Sequence, residues 1–136
     1  MAKYDAFGTK LERGAVEIAQ VTNISGPGLS LDTEDVTSHD STGNWEEVVG
    51  TILRSGEVSL DLVYDPAHAT HKNASGGLLY DLAQRASNTY TLTFPDSGAT
   101  EWSFTALVTG FEPGAPVGGA LTASVKLKLT GQPTLA

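Results

Sequence analysis

The chain contains no cysteine. Disulfides and thiol catalysis are therefore excluded, and the redox compartment stays open. No apolar run approaches the roughly 18 residues that would cross a membrane. The opening stretch MAKYDAFGTKLERG lacks the apolar centre of a secretory signal. The expectation is a soluble protein made in a cytoplasm and not exported by that route. Positive charge is scarce: eight Lys and Arg stand against sixteen Asp and Glu, a net charge of −8 with a pI near 4.6. Nucleic-acid binding draws on a basic patch that displaces counterions, and none is visible. Direct DNA binding is not expected, although DNA could still pass a chain that does not hold it.

Catalytic signatures are also missing. There is no G-x-S-x-G elbow, no H-E-x-x-H and no phosphate loop. The GPG and SGG triplets are turn glycines. Glu46 and Glu47 are adjacent, so on a strand their carboxylates would point apart. The stretch DTEDVTSHD gathers Asp32, Glu34, Asp35, His39 and Asp40. It has no calcium-loop spacing, and strand alternation would split the ligands between faces, so it reads as a solvated acidic face. His68 and His71 in HATH lack a third ligand and read as two surface histidines in a loop. No enzyme activity, metal or cofactor is expected.

What the chain does have is period-two alternation. In SGEVSLDLVYDP, residues 55 to 66, Val58, Leu60, Leu62 and Tyr64 share one face of a strand. Glu57, Ser59 and Asp61 share the other. Such a strand belongs to a half-solvated antiparallel sheet. Similar segments fall at 15–21, 29–38, 89–95, 100–111 and 120–131. In the last, Leu121, Ala123, Val125, Leu127 and Leu129 alternate with Thr122, Ser124, Lys126, Lys128 and Thr130. NISGPG (23–28) reads as a turn, and Asp96-Ser97-Gly98 closes a hairpin. The segment LLYDLAQRA (78–86) puts Leu78, Leu79, Leu82, Ala83 and Ala86 on one helical face, with Ser75 as N-cap and Asn88 as stop. At 136 residues this is one mainly β domain, 1–136, with about six strands and one short flanking helix.

Two segments stand outside this pattern. Residues 1–14 read as a flexible arm carrying Tyr4, Phe7 and Leu11. Residues 39–54 read as an extended inter-strand loop with five apolar side chains, Trp45, Val48, Val49, Ile52 and Leu53. Such a loop could fold back on its own core, or leave the domain and pack on a neighbouring subunit.

The order of ISGPGLSLDTEDVTSHDS, WEEVVGTILRSGEVSLDLVYDP, a short helix, TYTLTFPDSG, FTALVTGFEP and GGALTASVKLKLTG resembles the major tail tube protein of long-tailed bacteriophages. The resemblance covers nearly the whole chain. It implies a small antiparallel β-sandwich or barrel with one flanking helix, hexameric rings stacked into a hollow tube, and a sheet from each subunit lining the channel through which DNA leaves. It also implies a virion tail location and partners in the tape measure, tail tip and tail terminator proteins. Some relatives carry an extra C-terminal immunoglobulin-like domain; this chain would be the bare tube module.

On that reading Trp45, Val48, Val49, Ile52 and Leu53 contact the neighbouring ring, together with Tyr4, Phe7 and Leu11 of the arm. Glu57, Ser59 and Asp61 face the lumen. A ring of six would carry about −48 formally, which would repel phosphate. Two rival readings remain: the tube of a contractile secretion-type system, and a monomeric sandwich binding a ligand such as carbohydrate. The latter would need an exposed aromatic platform, for which Trp45 is the candidate.

Overall fold

A computed structural model describes residues 3–135; the first two residues of the expected arm and Ala136 lie outside the described residues. Among the described residues the chain forms β1 (Lys10–Arg13), β2 (Val16–Glu17), β3 (Val21–Ser25), β4 (Ser30–Asp35), β5 (Val48–Arg54), β6 (Glu57–Val63), α1 (Leu78–Gln84), β7 (Ser87–Thr93), β8 (Glu101–Gly114) and β9 (Thr122–Thr134). Seven strands make one antiparallel sheet in the order β2-β1-β7-β8-β9-β6-β3. It curls into a half-barrel. The core is thus the inner side of one curled sheet. Strands β4 and β5 pair only with each other.

The alternation expected for residues 55–66 is present. Val58, Leu60 and Leu62 are buried, and Glu57 and Asp61 are exposed. Strand β9 sits beside β6 with Leu60 opposite Val125 and Val58 opposite Leu127. On its other side Ala106 and Val108 of β8 face Leu129 and Leu127. Tyr90 and Leu92 of β7 add to the same core, opposite Phe104 and Trp102. Phe94 meets Trp102 edge-on, with ring centroids 5.3 Å apart. The expected inward faces of these strands hold, with one exception. Leu121 lies just ahead of β9 and is exposed, at the end of the ladder where its carbonyl accepts from the Tyr64 amide.

Other boundaries differ from the sequence reading. Residues 15–21 do not form one strand: the chain turns at Ala19-Gln20, with Gln20 in a left-handed conformation, between the two-residue β2 and β3. Strand β3 then runs through Ser25, so the turn expected at 23–28 starts later. The helix is capped at Gly77 rather than Ser75, and it stops at Arg85 in the left-handed region rather than at Asn88.

The N-terminal segment shows the largest difference. Lys10–Arg13 is not an arm but strand β1, paired with β7 so that Leu11 lies opposite Leu92. Leu11 is 0% exposed and belongs to the core. It is therefore not free to contact another subunit. The short KLER segment lacked enough alternation to announce itself as a strand. Arg13 then reaches across to α1, donating to Asp81 from Nε at 2.5 Å and from its terminal nitrogen at 2.8 Å. The Tyr90 hydroxyl donates to the same carboxylate at 3.4 Å. The Asp81 hydrogen bond raises the Arg13 pKa. Burial above all, and then the Asp81 charge, push the Tyr90 phenol up. A bidentate ion pair at this depth ties the first strand to the helix.

The histidine reading also changes. His71 is fully buried rather than on the surface. The Asp65 amide donates to its Nδ1 at 3.2 Å, so the proton sits on Nε2, which donates to the Ala19 carbonyl at 2.8 Å. Loop 65–77 is thereby pinned to the β2–β3 turn. This is a satisfied core histidine.

Leu11→Ala is expected to lower the stability of the free subunit by about 2–5 kcal/mol. Phe7→Ala, at a side chain 90% exposed, is expected to change it by less than about 0.5 kcal/mol. Chemical denaturation of the two variants measures the difference.

Candidate assembly surfaces

The β4–β5 pair is an arm that leaves the sheet. At its root, Gly26 and Gly56 both hold positive φ, +100° and +68°. A Cβ on Gly26 would strike the Glu57 carbonyl, and one on Gly56 would strike the Gly28 carbonyl. The two backbones cross where only glycine fits. Pro27 is buried beside them. The arm is thus fixed at a tight crossing rather than attached by a slack linker.

Beyond the root the two strands of the arm are exposed almost throughout. Every residue of β5 is exposed, and so is β4 apart from the half-buried Asp32. The segment expected as a loop at 39–54 is therefore a strand from Val48 onward, and the connection is 36–47 with a short 3-10 turn at Thr42–Asn44. Trp45 is 76% exposed and Leu53 81%, while Val48, Val49 and Ile52 are about half exposed. None of the five folds back on the core. Leu31 pairs with Leu53, and the register then slips by one residue before Thr33 meets Gly50. That places Leu31, Leu53 and Val48 on one face. The opposite face carries Asp32, whose carboxylate accepts from Arg54 Nε at 2.8 Å. Leu29, Leu31 and Val36 are exposed apolar residues of the same arm. They escaped notice because the alternation of 29–38 implied burial of one side.

Between the arm root and the end of β9 lies an open cleft of about 710 Å³, lined by Leu29, Ile52, Leu53, Lys128, Pro133 and Leu135 among others. Elsewhere on the surface, Tyr4 and Phe7 stay exposed on residues 3–9. These fold into a local turn, with the Thr9 amide donating to the Ala6 carbonyl. Ala6 to Thr9 border a second groove against edge strand β3.

The third surface is the outer face of the sheet, where Glu57, Ser59 and Asp61 lie. The register aligns them with mostly polar residues on other strands, Leu107 and Gly110 excepted. Asn23, Asp61, Ser124 and Glu112 form one row across four strands. Ser25, Ser59, Lys126 and Gly110 form the next, followed by Glu57, Lys128, Leu107 and Ser87. The row beyond is Thr130, Thr105 and Thr89. Ser124 Oγ donates to Asp61 Oδ1 at 3.0 Å. The face is thus a ladder of hydroxyls with carboxylates and lysines interleaved, not a uniformly acidic wall. The net negative charge is concentrated elsewhere: residues 29–54 of the arm hold six carboxylates against one cation, a net −5 of the chain's −8.

Among the described residues, no three His, Asp or Glu side chains come together as a metal site, and no helix is long and apolar enough to cross a membrane. The features that stand out are an exposed apolar arm, open sheet edges and a polar outer face, the marks of a structural protein. The chain belongs to the lambda phage tail tube protein family, whose model matches residues 2–136. It is a virion tail protein of a phage or phage-like system and not an enzyme.

No curated protein sequence matches it. Among solved structures it resembles a chain of the virion of a native gene transfer agent particle, with a TM-score of 0.76 at 16% identity, covering 98% of this chain and 99% of that one. It also resembles a chain of the sheath/tube terminator of an extracellular contractile injection system in its extended state, with a TM-score of 0.74 at 13% identity over 100% and 98%. A third is a chain from the tube-terminating cap of the anti-feeding prophage, at 0.68 and 14% over 100% and 95%. At these identities the likeness is one of fold.

Because Trp45 is 76% exposed, Trp45→Asp is expected to leave the thermal stability of the free subunit within about 0.5 kcal/mol of the native value. Differential scanning calorimetry of the dispersed protein checks this.

Proposed function

We propose that this subunit assembles into hexameric rings that stack into a hollow tail tube, with the β4–β5 arm and residues 3–9 crossing to neighbouring subunits. The outer sheet face lines the channel through which DNA is ejected. The observation that carries the proposal is the arm. A two-stranded ribbon is marginally stable alone in water, and this one exposes Leu29, Leu31, Trp45, Val48, Val49, Ile52 and Leu53. Apolar surface of that extent on a soluble chain is covered by something, and in a self-assembling tube the cover is the next copy. Edge strands β2 and β3 present unpaired backbone groups on either side of the sheet, which suits lateral closure of a ring. The tail of an empty gene transfer agent particle, solved with C6 symmetry, contains a chain of this fold, with a TM-score of 0.66. The tape measure, tail tip and tail terminator proteins would be its partners at the lumen and the two ends.

The same subunit geometry would serve the tube of a contractile system, since chains from such systems share the fold. The two readings differ in cargo and in the presence of a sheath. Purification of the native particle separates them, because a sheath protein bound around the tube would favour the contractile system.

Two experiments test the tube itself. Trp45→Asp with Val48→Asp is expected to give a folded monomer that forms no tubes at any concentration, seen by negative-stain microscopy and sedimentation. Normal tubes from this variant would remove the arm from the assembly. For the channel face, the native chain has no cysteine, so Ser59→Cys introduces a single thiol. A small maleimide should label it in free subunits and in end-capped tubes. A maleimide carried on a polymer too large to enter the lumen should label free subunits only. Labelling of tubes by the large reagent would place this face on the outside.

A further inference from the structure

We infer that Glu57, Asp61 and Glu112 act as masks for Lys126 and Lys128, so that a wall containing cations presents no net attraction to the phosphate backbone of DNA. The inference rests on the reading that this face lines the channel. Lys126 and Lys128 are both exposed on β9, the strand between β6 and β8. Glu57 lies directly opposite Lys128, and Lys126 lies opposite Ser59, between Glu57 and Asp61 on β6. On β8, Glu112 lies opposite Ser124, one step diagonally from Lys126. Asp61 is held in place by the Ser124 hydroxyl at 3.0 Å. Among the described residues no carboxylate comes within ion-pair distance of either lysine. The compensation is therefore carried by proximity across strands, with diagonal neighbours about 7–8 Å apart.

The chemistry follows from counting charges on the face. Two ammonium groups per subunit, repeated around rings and along a tube, would make an array of phosphate contacts. Such contacts strengthen steeply as salt falls. Three carboxylates interleaved with them leave the same area slightly negative. The lysine stems add breadth and the threonine and serine hydroxyls add hydration, while aromatic rings, on which bases could stack, lie on the core side of the sheet. A purely acidic wall would push the helix toward the axis. A compensated one lets it approach without being held.

The test uses virions carrying Glu57→Gln with Asp61→Asn, in which the lysines lose two of their three neighbours without change of shape. Genome release should slow several-fold relative to native at low salt, where the Debye length is about 30 Å, and recover at high salt, where it is about 3 Å. Adding Lys126→Gln and Lys128→Gln in the same chain should restore native release at low salt. If the pair of carboxylate substitutions releases DNA at the native rate at every salt concentration, while Ser59→Cys labelling places the face inside, the masking is wrong and the channel reading survives. If the labelling places the face outside, both fall. Should the carboxylate variant fail to form tubes, Lys126→Gln with Lys128→Gln alone is decisive. Masked lysines predict release no slower than native, and slower release would show that the lysines guide the DNA and overturn the proposal.

Discussion

The register of β6 against β9 is the constraint on which the rest depends. Val58, Leu60 and Leu62 meet Leu127, Val125 and Ala123 on the buried side. A slip of one residue would turn Glu57 and Asp61 into the core and expose three aliphatic side chains. Burying even one unpaired carboxylate costs several kcal/mol, so the alternative pairing is closed. Because β9 also pairs with β8, the same register fixes which residues align along the outer face across four strands. The polar rows are thus a by-product of packing on the other side of the sheet.

A single curled sheet cannot bury both of its faces within one chain of this length. The inner face is filled by its own side chains together with α1 and loop 65–77, which the Arg13–Asp81 pair and His71 hold against it. The outer face is left wet, and the polypeptide between β3 and β6 is left with no layer to join. That segment becomes the arm. Its attachment through Gly26 and Gly56 at a backbone crossing makes its direction a property of the sheet rather than of a flexible hinge. Arm, edges and wet face are three consequences of one unfilled architecture, which on the proposed reading further copies of the chain would fill.

The sequence made the sheet legible wherever one side of a strand was buried. Strands β6, β7, β8 and β9 show period two because burial imposes it, and the helix shows its own period against β8. Strand β5 was unreadable for the complementary reason. VVGTILR is exposed on both faces within the subunit, so nothing selects alternation, and its run of apolar residues looked like an irregular loop. Strand β1 is four residues long, too short for a pattern, and the burial of Leu11 is decided by β7, some 80 residues further on. His71 was misread because its partners, the Ala19 carbonyl and the Asp65 amide, are backbone groups that leave no trace in residue types. On the outer face, Glu57, Ser59 and Asp61 were legible as a set. Their neighbours Lys126 and Lys128 could not be placed beside them until the strand order was known.

The acidity of the arm has a meaning separate from any channel. An exposed ribbon with Leu31, Val48, Val49, Ile52 and Leu53 is the kind of edge that aggregates at random. Interleaving Asp32, Glu34, Asp35, Glu46 and Glu47 among them is the gatekeeping by which β proteins resist such collapse. Two arms meeting out of register bring like charges together, whereas apolar contacts gain only from a complementary seat. On the tube reading the carboxylates would act as a proofreading device, making wrong encounters between subunits cost something until the complementary seat is found.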